Sequence, residues 1–160
     1  MVNDLVNFAP AKKQELDKTA IGAKLAETLK IYGKKLSIEF PRAAGVTLEQ
    51  FMLLSVLDKN ADLIQQKLAD LMKRDKSGVL RLVNALEKKQ MVIRTPDKND
   101  RRKKNLELTG KGREALNKCF EREAEIIGEI LEGVDDRSVA VFSEVLSKIQ
   151  ANSNEWFASC

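Results

Sequence analysis

The sequence predicts a mainly α-helical fold that carries one small β-hairpin. Apolar residues recur at helical spacing in several segments of the 160-residue chain, most clearly at residues 75–89. Two short stretches after that segment, residues 91–94 and 106–109, have the composition of strands and flank a cluster of turn-forming residues. The length suits a single domain with an ample core.

The N-terminal part of the chain predicts an arm followed by one long helix. Residues 1–11 form the arm, and a helical pattern then runs from Lys12 to about Leu36. Pro41 ends this helix or the turn after it, because proline disfavours helical continuation. The hairpin and its neighbouring helices do not need such a segment, so we expect it to pack between subunits.

A short, strongly apolar helix follows at residues 48–57. Thr47 and Gln50 form a capping-box sequence, in which each side chain bonds a backbone N–H at the helix start. The density of apolar residues predicts nearly complete burial of Phe51, Met52, Leu53, Leu54, Val56 and Leu57.

The next helical pattern covers residues 63–73 and begins after a break at residues 59–61. Asn60 or Asp62 is its expected cap. Helical spacing points three of its apolar residues inward, namely Leu68, Leu71 and Met72. Arg74 and Asp75 then make the turn into the following helix.

The helix at residues 75–89 has two chemically different sides. One side is apolar and consists of Val79, Leu82, Val83 and Leu86. The opposite side consists of Ser77, Arg81, Asn84 and Lys88. Its hydroxyl, guanidinium, amide and ammonium groups suit base edges and phosphates. Asp75 is the expected N-cap.

A hairpin with a charged tip follows this helix directly. The segment between the strands, residues 96–104, begins with turn-forming residues and becomes strongly cationic. Its cations are Lys98, Arg101, Arg102, Lys103 and Lys104. Such a hairpin after such a helix makes a winged helix-turn-helix.

Two further helices complete the chain. Thr109 caps a helix at residues 111–131. Its inner stripe is Leu116, Phe120, Ile127 and Leu131, with Ala115, Ala124, Ile126 and Ile130 beside it. Gly133 closes that helix, and Asp135 or Asp136 starts the last one. The apolar face of the last helix is Val139, Phe142, Val145, Leu146 and Ile149.

Charge is divided unevenly along the chain although the net charge is only +4. Residues 58–113 hold 16 Lys and Arg against 8 Asp and Glu, a balance of +8. Residues 114–160 hold 4 against 10, a balance of −6, and residues 1–57 hold 8 against 6. A merely solvated surface does not predict this division, which favours a nucleic-acid surface at the winged segment.

Composition excludes several other functions. The chain has no histidine, and its two cysteines, Cys119 and Cys160, form no metal-ligand spacing, so we expect no metal, no cofactor and no enzyme. Cys119 is expected to be a buried thiol without a redox role. Aromatic residues make up 5% of the chain, too few for a platform that stacks single-stranded bases. Residues 1–13 lack the pattern of a signal peptide and residues 51–57 are too short to cross a bilayer, so a cytoplasmic protein is expected.

Residues 47–112 resemble the MarR family of bacterial transcription regulators in unbroken register. The residues that carry the resemblance are Leu68-Ala69, Asp75-Lys76-Ser77, Val79, Arg81-Leu82-Val83, Leu86-Glu87-Lys88-Lys89, Val92, Arg94, Asp100-Arg101-Arg102, Leu108-Thr109 and Gly112. Upstream, Leu48, Gln50-Phe51 and Leu53-Leu54 fit the preceding helix of the family. Three departures stand out: Leu80 replaces a usual Thr, Gln90 replaces a common Gly, and the turn at residues 74–75 lacks a Gly.

The resemblance implies a division of the chain and a set of contacts with duplex DNA. Residues 45–113 would be the DNA-binding module, flanked by dimerisation segments at residues 1–44 and 114–160. In the major groove we expect six residues, namely Lys76, Ser77, Leu80, Arg81, Asn84 and Lys88. Arg81 would contact guanine or a phosphate and Asn84 an adenine edge, while Leu80 would contact a thymine methyl group or simply pack. From the wing we expect Arg102 in the minor groove, oriented by Asp100, with Lys98, Lys103 and Lys104 on phosphates. Arg101 would support the hairpin or reach a phosphate.

The implied function is a homodimeric regulator, a repressor, that binds a pseudo-palindromic operator. The resemblance also implies release by a small, often aromatic, anionic effector bound between the winged module and the dimer helices. The sequence leaves two alternatives open: a winged module that binds protein, and an architectural protein that binds DNA without sequence preference.

Overall fold

A computed structural model describes residues 18–60, 63–97 and 104–158 of the chain. The elements in chain order are α1 Lys18–Ala44, α2 Leu48–Lys59, β1 Leu63–Ile64, α3 Gln65–Leu71, α4 Lys76–Lys88, β2 Val92–Pro96, β3 Lys104–Leu108, α5 Gly110–Ile130 and α6 Asp136–Ala158. The mainly helical fold class with a small hairpin is confirmed. The predicted arm and the predicted helix start at Lys12 lie outside the described residues.

The three strands form one antiparallel sheet in the order β1-β3-β2. Leu106 in the central strand pairs with Leu63 on one side and with Arg94 on the other. The helix predicted from residue 63 is therefore wrong at its start, because residues 63–64 pair with β3 instead. Helix α3 begins only at Gln65, and its N-cap is Ile64, which makes no side-chain capping bond.

The predicted caps of α3 are also corrected. Asn60 is instead the C-cap of α2, and its side-chain amide donates to the Val56 carbonyl at 2.8 Å. Asp62 lies outside the described residues. Leu71, expected to point inward, is 48% exposed, because α3 ends there and only Leu68 and Ala69 reach the core.

Helix α1 runs past its predicted end at Leu36 and contains Pro41. Phe40, one turn beyond Leu36, is fully buried, and its ring lies 4.6 Å from the ring of Phe51. Burial of this side chain favours continuation of the helix. Pro41 lies in the last turn, so it removes one hydrogen bond close to the point where the helix ends anyway.

Helix α2 begins with the predicted capping box. The Gln50 N–H donates to the Thr47 hydroxyl at 3.2 Å, and the Thr47 N–H donates to the Gln50 side-chain oxygen at 3.2 Å. Phe51, Leu53, Leu54 and Leu57 are buried as expected. Met52 is 46% exposed, so the expectation of nearly complete burial was wrong for this residue, whose side of α2 is not covered.

Polar contacts fasten α1 to α5 beside the core. The Tyr32 hydroxyl donates to Glu123 at 2.6 Å, and Arg122 donates to Glu39 at 3.0 Å. The hydrogen bond from Arg122 and the nearby cations lower the pKa of Glu39 below its usual range. These contacts orient the long helices relative to the winged module.

Helix α5 begins and ends within one residue of its predicted bounds, and α6 begins at Asp136 as predicted. Thr109 caps α5 by accepting from the Gly112 N–H at 3.0 Å, and Gly133 has the left-handed φ of +78° that a chain reversal needs. Asp135 accepts from the Ser138 N–H at 2.9 Å where α6 begins.

The predicted inner stripe of α5 is only partly buried. Leu116, Ala115 and Ile126 are buried, but three of its apolar residues are exposed: Phe120 at 42%, Ile127 at 38% and Ile130 at 51%. The predicted apolar face of α6 is likewise exposed at Phe142, Val145 and Ile149. Phe120 is covered in part by α2, since its ring centroid lies 5.3 Å from that of Phe51, whereas the other positions stay substantially exposed among the described residues of one chain. None of the described helices has the length and apolar character required to span a bilayer.

Candidate nucleic-acid interface

Helix α4 packs against the rest of the protein through one side and exposes the opposite side to solvent, as its sequence predicts. Val79, Val83 and Leu86 are completely buried, and α4 packs against α3, α2 and β2. Asp75 caps the helix, since its carboxylate accepts from the Gly78 N–H at 2.7 Å. The helix therefore begins at a defined residue and is fixed in orientation by its apolar side.

All six residues of α4 that are predicted to contact the major groove are exposed. They are Lys76, Ser77, Leu80, Arg81, Asn84 and Lys88. We call the surface that they form the reading side of α4. Leu80, where related sequences usually place a Thr, is 40% exposed, so this apolar side chain does not belong to the core. At about 100° per residue, the four polar residues from Ser77 onward lie within one narrow sector of the helix. The arrangement offers donors of several kinds to one surface.

Arg94 on β2 connects the hairpin to α4, a contact that sequence reasoning missed. Its Nη1 pairs with Glu87, and its Nη2 donates to the Asn84 Oδ1 at 2.9 Å. The spacing of Asn84 and Glu87 puts them on one edge of the last turns of α4, but the sequence does not show how closely Arg94 on β2 approaches that edge. The side-chain oxygen of Asn84 is thus already engaged within the protein.

The base of the hairpin is ordered by its own side chains. Strand β2 pairs with β3 from Val92↔Leu108 to Pro96↔Lys104, two residues beyond the predicted strand at residues 91–94. The Asn105 amide donates to Asp97 at 3.1 Å, and the Thr95 hydroxyl bonds to Glu107. Asn105 is only 4% exposed, so this polar pair sits at a buried position where the tip begins.

Five of the six predicted wing residues lie outside the described residues. They are Lys98, Asp100, Arg101, Arg102 and Lys103. Lys104 is described and is exposed at the first position of β3. Its place beside Pro96 puts a positive charge at the end of the paired region.

The turn from α4 into β2 is built around a non-glycine residue in a left-handed conformation. Gln90 has φ of +61°, the conformation for which related sequences commonly use Gly. Its carbonyl accepts from the Thr109 hydroxyl at 2.8 Å, which joins this turn to the start of α5. A similar φ of +50° occurs at Lys73, just before the turn at residues 74–75 that also lacks a Gly.

The C-terminal end of α4 is tied to the helices behind it. Lys89 donates to the Gly45 carbonyl at 2.6 Å and to the Gln50 side chain at 2.8 Å. Arg74, before α4, pairs with Glu49 at 2.7 Å. Both ends of α4 are therefore connected to the start of α2, so a shift of α2 relative to its neighbours would move the reading side.

A small crevice lies between the end of α1, Met91 directly before β2 and the first turns of α5. It has a volume of about 190 Å³ and is lined by Ala43, Ala44, Met91, Lys111, Glu114, Ala115 and Lys118. Lys118 pairs with Glu114 at 2.7 Å, whereas Lys111 adds a second positive charge. A larger crevice of about 400 Å³ between α2 and β3 is lined by Asp58, Glu107 and Arg113, and Arg113 pairs with Asp58.

Cys119 is a buried thiol, as predicted. Its side chain is 0% exposed, and burial raises its pKa to about 11. The protonated thiol is a poor nucleophile, which agrees with a packing role. The other cysteine, Cys160, lies outside the described residues, and the described residues contain no cluster that would hold a metal ion.

Part of the chain matches a family model, and most of the chain is similar to a known regulator. Residues 46–104 match the model of the MarR family. The chain is 26% identical over 112 residues to the HTH-type transcriptional regulator MhqR of Bacillus subtilis, covering 70% of this chain and 77% of that protein.

Solved structures share the fold of this chain. A MarR family protein from Bacillus stearothermophilus superposes with a TM-score of 0.74 at 24% identity, covering 85% of this chain and 95% of that one. A mutant of MepR from S. aureus, solved bound to an oligodeoxyribonucleotide, has a TM-score of 0.59 at 21% identity, covering 82% of this chain and 96% of that one.

Proposed function

Because residues 46–104 match the MarR family model, we propose that this chain is a transcription regulator that binds duplex DNA as a homodimer and represses the genes it controls. The observation that carries the proposal is the two-sided character of α4. On its apolar side Val79, Val83 and Leu86 are completely buried and Leu82 is partly buried. Its opposite side presents Ser77, Arg81, Asn84 and Lys88 to solvent. A helix fixed in this way beside a hairpin is suited to entering a major groove.

Charge supports DNA as the partner. The segment from residue 58 to residue 113 carries a balance of +8, whereas residues 114–160 carry −6. Positive charge is thus concentrated on the module that holds α4 and the hairpin. Such a distribution attracts the phosphate backbone and would turn the acidic C-terminal segment away from it.

The hairpin is the proposed minor-groove reader. Arg102 would insert into the groove with Asp100 orienting it and Arg101 supporting the hairpin, while Lys98, Lys103 and Lys104 would contact phosphates. Lys88 at the end of α4 and Lys76 at its start would contact phosphates of the major groove, and Leu80 would contact a thymine methyl group.

Exposed apolar surface on the terminal helices supports self-association. Ile21, Leu29 and Ile31 on α1 are 44%, 58% and 64% exposed, and Phe142 on α6 is 55% exposed. Large apolar residues repeated along long helices are characteristic of interfaces between subunits. Two-fold symmetry would then place the reading helices about 10 bp apart along the DNA.

The crevice between α1, Met91 and α5 is the proposed effector site. Lys111 and Lys118 line it, so it suits a small anion better than the crevice that Asp58 and Glu107 line. Occupancy there would shift α1 against the module and change the separation of the two reading helices. A preference of a few kcal/mol for the mis-spaced state would release the operator.

Selection of duplexes from a random pool tests the proposal. The full chain should enrich a pseudo-palindrome whose half-sites are about 10 bp apart. Added benzoate, as a small aromatic anion, should reduce retention of the enriched duplex if the crevice binds it. Retention of duplexes without enrichment would instead indicate an architectural binder, and no retention would favour a module that binds protein.

A further inference from the structure

Only one of the two polar groups of the Asn84 side-chain amide, the NH₂, has no contact with Arg94 and is fully available to DNA. Its Oδ1 accepts a hydrogen bond of 2.9 Å from the Nη2 of Arg94. Because a guanidinium has donors and no acceptor, the atom of Asn84 that faces Arg94 must be the oxygen. The amide group therefore points its NH₂ away from Arg94.

Arg94 is held where this contact requires it. Its backbone pairs with Leu106 inside the sheet, and its other terminal nitrogen pairs with Glu87 one turn further along α4. The side chains of Arg94 and Glu87 are 26% and 27% exposed, so water screens the pair only partly. The contact to Asn84 is thus supported from a strand and by an ion pair, which keeps the amide in one orientation.

This orientation changes which base Asn84 would read. A bidentate contact with adenine needs the amide oxygen to accept from N6 while the NH₂ donates to N7. Oδ1 keeps a second lone pair, but a donor from adenine would have to approach it beside the Arg94 guanidinium, whose positive charge repels the hydrogens on N6. The free NH₂ instead fits an edge made of acceptors, which guanine offers at O6 and N7 and thymine at O4.

We propose that Arg94 is a positioning residue that sets specificity by restricting Asn84 to donation, so that Asn84 selects guanine or thymine and not adenine. This inference rests on the proposed function, since it assumes that α4 reads a major groove. Arg94 need not touch the DNA for this effect. It acts through the amide of Asn84.

The matched variant is Arg94→Lys. A lysine keeps the positive charge and the pair with Glu87, but its single ammonium group lacks the second fixed donor that reaches Asn84. Thermal melting should stay close to wild type, which separates a change in base preference from unfolding. Asn84→Ala identifies the base position that depends on Asn84.

The experiment selects duplexes from one random pool with wild type, Asn84→Ala, Arg94→Lys and the double variant. In wild type, the position whose preference Asn84→Ala abolishes should be guanine or thymine. Arg94→Lys should shift that same position toward adenine by about fivefold or more in relative enrichment, the scale of one good base contact. The double variant should have no preference there.

Several results would overturn the inference while leaving the proposed function intact. They are adenine at the Asn84-dependent position in wild type, no position that depends on Asn84, or an unchanged preference in Arg94→Lys. Should Arg94→Lys fail to fold, Asn84→Asp provides the test. A carboxylate keeps the partner of Arg94 and has no N–H, so preference for guanine or thymine should vanish, and its retention would refute the inference. Failure of wild type to retain any duplex would refute the proposed function itself.

Discussion

Gly112 occupies a position where the fold leaves no room for a side chain. A Cβ built at this position would lie 2.1 Å from the Met91 carbonyl oxygen and 2.7 Å from the Leu108 side chain. The backbone of α5 therefore passes directly over the turn that joins α4 to β2. Glycine permits this approach, and the approach allows the Met91 carbonyl to accept from the Thr109 N–H at 3.1 Å.

We predict that Gly112→Ala lowers the free energy of unfolding by about 3 kcal/mol, because backbone must move to make room. Gly110→Ala is the control, since nothing lies within 4 Å of its Cβ position in the same first turn. It should change stability by less than about 1 kcal/mol. Urea denaturation of both variants measures the difference, and equal effects would show that the close approach is absent.

Gln90 adopts a conformation that glycine would adopt at lower cost. The left-handed region costs an L-residue about 1–2 kcal/mol, and glycine loses part of that gain through its freedom in the unfolded chain. We predict that Gln90→Gly stabilises the protein by about 0.5–1 kcal/mol. Gln90→Ala keeps the Cβ and should give no gain. A melting temperature that rises equally in both variants would contradict this explanation.

Sequence reasoning succeeded at residues whose role depends on close neighbours. The caps Thr47, Asp75 and Thr109 were predicted because their partners lie three residues away. The bond between Arg94 and Asn84 was missed because it depends on how closely β2 approaches α4. Exposure of the reading side of α4 was predictable, whereas the engagement of one of its atoms was not.

At the scale of elements, α4 depends on its N-terminal cap. Asp75 satisfies the Gly78 N–H and places a negative charge at the positive end of the helix dipole. We predict that Asp75→Ala lowers the free energy of unfolding by about 1 kcal/mol and weakens binding to a selected duplex by several-fold, because the first turn carries Lys76 and Ser77. Asp75→Asn retains an acceptor oxygen and should keep most of the stability. Loss of stability in Asp75→Asn equal to that in Asp75→Ala would exclude capping as the cause.

A helix with a long apolar periodicity was predicted correctly. A strand whose pairing partner lies far along the chain was misassigned. Residues 75–89 contain two full apolar turns, and the observed helix differs by one residue at each end. Strand β1 has two residues and pairs with a strand more than forty positions later. The helical spacing of Leu68, Leu71 and Met72 therefore extended the predicted helix wrongly back to residue 63. The end of α1 was missed because burial of Phe40 outweighed the local effect of Pro41.

At the scale of the whole molecule, one chain leaves a large apolar surface uncovered. The residues of α5 and α6 that periodicity assigned to inner faces include Ile127, Ile130 and Phe142, which are all exposed. Apolar periodicity predicts that a helix face is buried. It does not show whether another element of the same chain or a second chain buries that face. A second copy of the chain is the covering that the proposed function requires.

We predict that Phe142→Glu disrupts self-association, because a buried unpaired carboxylate is strongly unfavourable. Sedimentation at micromolar concentration should give twice the 18.0 kDa chain mass for wild type and a single chain mass for the variant. Ala151→Glu adds the same charge nine residues later, about half a turn round α6, and should remain a dimer. A monomeric wild type, or a dimeric Phe142→Glu, would contradict the proposed interface.

The most direct test of the account is the salt dependence of binding to a duplex selected from the random pool. If each subunit of a dimer neutralises about four phosphates, log K should fall against log salt with a slope of about −7. Arg81→Ala should weaken binding by about tenfold or more, whereas Lys30→Ala, which removes the same charge from the exposed side of α1, should leave affinity nearly unchanged. A flat salt response, or equal affinity of wild type and Arg81→Ala, would contradict the claim that α4 reads DNA.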